Sequence, residues 1–222
     1  MINLVLVTSV INTCDKPLSY INKRSVYSMQ ERFEQTKLTI QSIKDKIPNC
    51  KILLSECSKL SEIMTTYLQE NCDYFINYYE NLSIRQNVES QSKSLGENTL
   101  IANSIHYLKS MNVRYDNLLK ISGRYWLSEN FNYANFQNNQ VVATYINNMD
   151  NNAVTSLFKI PKNIIDNYTE FLNKNVDVML NCIGAEVLFA IFLKTINPSY
   201  VKILPIIGVN GLIAVSNDMV SS

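Results

Sequence analysis

The residues from Asn3 to Ile11, NLVLVTSVI, run apolar without the alternation of a half-solvated strand. That pattern belongs to a strand buried on both faces of a parallel sheet. A parallel strand needs a crossover, and the chain supplies one. A polar loop carrying Lys23 and Arg24 leads to Ser28-Met-Gln-Glu31, a capping box that opens a helix with Phe33, Ile40, Ile43 and Ile47 on one face. Pro48-Asn49 closes it. The spacing then predicts a strand over 51–54, a helix over 61–71 striped by Ile63, Met64, Tyr67 and Leu68, and a strand over 74–77. A polar loop over 79–93 follows, then a helix opening at a second capping box, Ser94-Leu-Gly-Glu97, and a strand over 118–121. Such β-α-β-α-β-α-β alternation predicts an α/β fold with a mostly parallel sheet covered by helices on both faces.

The second half is mixed. Strands are expected over 141–146 and 156–160, close enough in sequence to pair, and Pro161 opens a helix bearing Ile164, Ile165, Tyr168, Phe171 and Leu172. Residues 184–196 form a helix that is apolar nearly all round, and 201–216 read as two short strands or a hairpin. No repeat, low-complexity linker or internal boundary interrupts the chain, so one domain over 1–222 is expected.

With 46% hydrophobic residues, 18% charged ones and only five Gly and five Pro in 222, the chain can bury a sizeable core and is neither disordered nor collagenous. The 20 basic and 19 acidic side chains leave a formal charge of +1, so no global field draws nucleic acid or an anionic membrane. Asn is abundant, and its runs, such as Asn147-Asn148, are put down to compositional bias. Five scattered Cys without a CxxC pair argue against a disulfide framework or zinc site and for a reducing, cytoplasmic setting. The one His, His106, is given an ordinary structural role. The apolar start lacks the basic region and cleavage site of a signal peptide, and no apolar stretch is long enough to span a bilayer as a helix.

In open α/β sheets ligands bind beyond the carboxyl ends of the strands. That rim gathers Thr8-Ser9-Val10, Ser55-Glu56, the segment before Ser94, and Ser122-Gly123-Arg124. Neither a P-loop nor GxGxxG is present, which disfavours the usual ATP and nicotinamide sites. Arg124 follows a buried strand, and Gly123 beside it allows close backbone approach. A surface turn is the plain reading, and a guanidinium fork offered to phosphate the sharper one. Arg24 and Lys23 are its natural companions, equally readable as solvated loop charges. The Ser94–Glu97 box is structural in itself, yet a helix N-terminus at this rim also presents free N–H groups to an anion. Glu186 is the anomaly: a carboxylate in an apolar helix is costly to bury unless paired or facing a cleft, and it is the candidate general base. Its position two residues after Gly184 equally suits a plain helix-start acid.

The segments LVTSVINT (6–13), RSVYSMQERFEQTKLTIQSIKDKIPNCKILLSECS (24–58), KSLGE (93–97), LLKISGRYWL (118–127) and GAEVLF (184–189) together resemble the small GT-A-type glycosyltransferases of large DNA viruses of algae and amoebae, which have relatives in bacterial glycan synthesis. The resemblance implies a GT-A-like fold, with a nucleotide-binding half over 1–127 and an acceptor and catalytic half over 128–222. It implies a nucleotide-sugar donor, by default a UDP- or dTDP-sugar, and a glycan or glycoprotein acceptor. Thr8, Ser9 and Val10 would line the nucleobase pocket with Glu56 nearby. Arg24, Lys93, Ser94, Gly96 and Glu97 would approach ribose and diphosphate, together with Ser122 and Gly123. Glu186 would be the base of an inverting transfer, with Arg124 steadying the leaving diphosphate; a retaining transfer would differ in the product anomer. Members usually hold Mn²⁺ or Mg²⁺ with an Asp-x-Asp after the fourth strand. This chain has Ser122-Gly123-Arg124 there, and the nearest acids are Asp116 and Glu129. Metal independence is therefore expected, with Arg124 in place of the cation. The alternative is a non-catalytic nucleotide- or glycan-binding domain that kept the fold without the metal motif. The thirteen Tyr, Tyr125 beside Trp126 among them, could offer stacking faces to a sugar, though core or surface packing is the plainer reading of most of them.

Overall fold

The structure, a computed structural model, describes residues 2–216 and 219–222. The first half follows β1 (Asn3–Ser9), α1 (Met29–Lys46), β2 (Lys51–Glu56), α2 (Glu62–Asn71), β3 (Tyr74–Asn77), α3 (Leu82–Val88), α4 (Lys93–Ser110) and β4 (Asn117–Ser122). The second half follows β5 (Tyr125–Leu127), β6 (Val141–Ala143), β7 (Leu157–Pro161), α5 (Ile165–Lys174), α6 (Val176–Leu180), α7 (Ala185–Thr195), β8 (Val201–Ile203), β9 (Val209–Leu212) and β10 (Met219–Ser221). Seven strands form one sheet in the order β3-β2-β1-β4-β7-β6-β8. β3, β2, β1 and β4 pair in parallel, β6 pairs in parallel with β8, and β7 is antiparallel to both its neighbours. The expected α/β architecture with a mostly parallel sheet is present.

Alternation along β1 divides the core. Val5 and Val7 face Phe33, Ile40 and Ile43 of α1 and Met64 and Leu68 of α2. Leu4 and Leu6 face Ile101, Ile105 and Leu108 of α4, with Phe158, Tyr168 and Phe189 continuing that layer. A strand feeding both layers must be apolar throughout, which is the pattern seen in the sequence. The Ser28–Glu31 capping box closes as expected: Ser28 Oγ accepts from Glu31 N at 3.3 Å and Glu31 Oε2 accepts from Ser28 N at 2.7 Å.

Several local expectations are corrected. The polar stretch 79–93 contains α3, capped by Asn81, because Ile84 and Val88 find apolar partners in Cys57 and Leu100. α4 starts at Lys93 under a Ser92 cap, so Ser94 and Glu97 lie inside the helix and form no capping box. Ser94 instead donates its hydroxyl to Ile183 O at 2.5 Å. Pro161 ends β7 rather than opening a helix. Ile63 is exposed on α2. β8 and β9 join different sheets and make no hairpin with each other. His106 is exposed on α4. Among the described residues no helix is long and apolar enough to cross a membrane.

β10, β9 and β5 form a second, antiparallel sheet, with β5 against α1. This small sheet and the excursion 144–156 between β6 and β7 both rise beyond the carboxyl ends of β1 and β4. They give the sheet rim its walls.

Candidate functional site

β1 and β4 end side by side, and the turn after β4 is drawn onto β1: Gly123 N donates to Thr8 O at 2.8 Å, and Gly123 O accepts from Thr36 Oγ1 at 3.0 Å. A Cβ on residue 123 would stand 3.1 Å from Ser9 Cβ, so glycine permits this closeness. Arg124 is thereby set on the rim, where its Nη1 donates to Leu212 O of β9 at 2.5 Å. One turn into α1, Arg32 points back toward the helix start, as helical side chains do. Its Nε donates to Val10 O at 2.8 Å and its Nη1 to Ser25 Oγ at 3.3 Å.

These groups open onto a cleft of about 720 Å³, inside the ~300–1,000 Å³ typical of small-molecule sites. Thr8, Ser9, Val10, Arg24, Lys93, Gly96, Glu97, Ser122, Gly123, Arg124 and Glu186 all reach it. Eleven of the thirteen residues expected at the site thus share one cavity. Two do not line it. Glu56 is fully buried behind β1, where its carboxylate accepts from Ile11 N, Cys57 N and Ser58 Oγ at 2.7–3.2 Å. Burial pushes its carboxyl up while those hydrogen bonds oppose the shift. Glu56 therefore shapes the loop after β1 without facing a ligand. Ser94 is buried at the α4 start and borders a smaller neighbouring pocket.

The charges in the cleft are distributed unevenly. Three of the chain's five arginines, Arg24, Arg32 and Arg124, line it, and none of the three has an ion pair among the described residues. Arg32 is only 7% exposed; burial and then the nearby Arg124 charge push its guanidinium down to about 9, opposed by Glu56. Arg124 is half-exposed on the rim, so a buried and an open guanidinium meet here, and like charges so placed favour an anionic ligand. Arg24 contributes mainly structure: it donates to Lys16 O, Val88 O, Glu89 O and Ser90 O, lacing the loop after β1 to the end of α3.

Glu97 lies on the opposite wall and is neutralised locally. Its Oε1 accepts from Lys120 Nζ and from Ser122 Oγ at 3.1 Å, and Lys120 also donates to Ser122 Oγ and Thr155 O. Burial pushes the Glu97 carboxyl up, but the Lys120 and Lys93 charges and these hydrogen bonds hold it below the usual carboxylate range. Glu186, in the first turn of α7, is half-buried on the wall and not enclosed in the core, because α7 leaves a solvent-facing side at Ile191 and Lys194. Its backbone oxygen accepts from Ala153 N at 3.0 Å, and Oε1 accepts from Thr155 Oγ1 at 3.3 Å. The anomaly is thus resolved as a carboxylate facing a cleft.

Sequence reasoning missed Arg32 and Tyr20. Arg32 had a usable signal, since the Ser28 box fixes where α1 begins at the rim. Tyr20 had none; it is 64% exposed on the loop after β1, and burial of its hydroxyl and the Glu186 charge push its phenol up. Asn147 and Asn148, discounted as compositional, line the cleft in left-handed backbone conformation (φ 52° and 57°), which Asn tolerates better than most residues.

No protein-family model and no curated protein matches the sequence. Solved structures do match the fold. Core-mannan synthase A (CmsA/Ktr4) from Aspergillus fumigatus, in its Mn/GDP form, aligns with TM-score 0.57 and 8% identity over 91% of this chain and 72% of that one. A structure from Desulfovibrio desulfuricans G20 assigned as a nucleotide-diphospho-sugar transferase aligns with TM-score 0.49 and 8% identity, covering 91% and 79%. At this identity the likeness is one of fold alone: the chain shares the α/β architecture of the Aspergillus structure.

Proposed function

We propose that the chain is a glycosyltransferase that moves a sugar from a nucleoside diphosphate donor to a glycan hydroxyl with inversion. The observation that carries this reading is the pair of Arg32, buried, and Arg124, half-exposed, neither in an ion pair among the described residues and both lining the cleft at the ends of β1 and β4, where two like charges call for an anion. A diphosphate satisfies that demand, and Thr8, Ser9 and Val10 flank it on the nucleobase side. In the reaction the bond from anomeric carbon to diphosphate oxygen breaks, and the electron pair stays on the diphosphate. Arg124, with Arg32 behind it, stabilises that developing charge. Glu186 takes the acceptor proton. On this reading residues 1–127 hold the donor, and 128–222 supply the base and the acceptor side.

The Mn of the Aspergillus structure is not carried over. Among the described residues no group of three or more His, Cys, Asp or Glu could hold an ion. The turn after β4 offers a guanidinium, and Glu97 is already committed to Lys120. On this reading the arginines, in place of a divalent cation, supply the positive charge.

The test is thermal unfolding with UDP, dTDP, GDP, CMP and ADP, each in EDTA and in Mn²⁺. A native-state ligand at a hundred times its Kd adds about 2.7 kcal/mol, a rise of roughly 5–10 °C for a chain of this size. One diphosphate should produce that shift in EDTA, with UDP and dTDP first in expectation. Arg124→Ala should weaken it about 10- to 100-fold, the loss of one charge-assisted contact. A shift confined to Mn²⁺ would overturn the metal-free site. Binding without transfer to any acceptor would turn the reading into the non-catalytic alternative, and no binding at all would end it.

A further inference from the structure

Beside the cleft lies a second pocket of about 180 Å³. Tyr20, Lys93, Glu97 and Glu186 border both cavities, while Ser19, Ser94 and the segment 182–185 border only the smaller one. The two differ in charge. All three arginines belong to the large cleft and none to the small pocket. An anion is drawn to the first; the second, where Lys93 stands among Glu97 and Glu186, disfavours an anion and suits a neutral, hydroxyl-rich group.

The small pocket has built walls. Ser92 Oγ donates to Met179 O at 2.6 Å and Ser94 Oγ to Ile183 O at 2.5 Å, so the start of α4 is stitched to the loop before α7. Cys182 on that loop takes φ 62°, the turn that brings 183–185 over the pocket. A Cβ at Gly184 would stand 3.1 Å from Glu186 Oε2, so the glycine leaves that oxygen its place. Thr155 occupies Oε1, and no described residue donates to Oε2. An ionised carboxylate oxygen accepts and cannot donate, so what enters must bring an O–H or N–H. Tyr20, exposed at the junction, offers an aromatic face of the kind that sugar rings cover.

We infer that the small pocket is the acceptor chamber and takes one neutral sugar ring, which presents a hydroxyl to Glu186 Oε2 from the side away from the arginines. This rests on the large cleft being the donor site. The acceptor O–H bond breaks with its proton passing to Glu186 Oε2. The oxygen lone pair forms the new bond to the anomeric carbon, and the sugar–diphosphate bond breaks toward Arg124. Tyr20 is the shared wall between the two substrates.

Ser19→Trp and Ile183→Trp test this from opposite walls. Both side chains are solvent-exposed, and neither lines the large cleft. The assay uses UDP-, dTDP- and GDP-sugars with a panel of p-nitrophenyl pyranosides, alongside nucleotide binding and donor hydrolysis. The expected result is nucleotide affinity within about twofold of wild type and unchanged hydrolysis to water. Transfer falls about 100-fold with a raised acceptor KM. Unimpaired transfer in both variants overturns the chamber, as does a wild type that hydrolyses donor yet accepts no pyranoside. Failure of wild type to bind any nucleotide would instead strike the donor reading, and the two failures are thereby distinguishable.

Discussion

Glu186→Gln is expected to leave nucleotide affinity and melting temperature unchanged and to slow transfer by about 10²–10⁴-fold, the range for loss of a positioned general base. The substitution preserves shape, and the amide oxygen can still accept from Thr155 Oγ1, so the wall of the cleft stays in place. What disappears is the proton acceptor at the Oε2 position. Because Glu186 is half-buried and carries no ion pair among the described residues, its removal strands no charge. Initial rates with saturating donor, measured beside a calorimetric Kd for the nucleoside diphosphate, separate chemistry from binding. Full turnover in a folded Glu186→Gln protein would remove Glu186 from the mechanism.

The largest effect on stability is expected at the Lys120–Glu97 pair. Lys120 is fully enclosed on β4 and Glu97 nearly so on α4. Glu97→Ala leaves a buried ammonium facing only Ser122 Oγ and Thr155 O. Breaking such a pair costs about 3–5 kcal/mol, or roughly 6–20 °C in melting temperature for a chain of this size. Replacing both partners, with Lys120→Met and Glu97→Leu, should recover most of the loss, since an apolar pair strands no charge. Acid acts the same way. The folded-state Glu97 carboxyl lies below its ordinary 4.5, so its contribution is complete above about pH 4.5 and fades as pH falls through the lower folded value. Denaturant titrations of wild type, Glu97→Ala, Glu97→Leu, Lys120→Met and the double variant, at neutral pH and at pH 3, check both statements. Additive single losses would mean that the two side chains do not act as a pair.

The backbone plan was largely open to a reader of the chain, because its signals are local. The apolar run from Asn3, the Ser28–Glu31 box and the stripe of Phe33, Ile40 and Ile43 each depend on neighbours within a few residues, and each appears as expected, with the strand ending at Ser9, two residues before the apolar run does. Two of the errors are instructive. α3 looked polar because its two buried contacts, Ile84 and Val88, are paired with residues far along the chain. Ser94 resembled a cap because the real one, Ser92, lies two residues earlier and differs only in where its hydroxyl points.

The candidate site divides along the same line. That β1 and β4 end at one rim follows from alternation alone, which is why Thr8, Ser9, Gly123 and Arg124 could be named beforehand. How each polar side chain is occupied could not be read that way. Arg24 and Arg32 are both arginines near the rim, yet backbone carbonyls absorb most of the donors of the first, while the second is desolvated beside Arg124. Glu56, Glu97 and Glu186 are three acids in or near the site: one ties a loop, one neutralises Lys120, and one faces the junction of two cavities. Periodicity and capping determine which elements form and which ends meet. Burial, charge pairing and the sharing of a cavity are set mostly by contacts between residues far apart in the chain, and only the folded packing decides them.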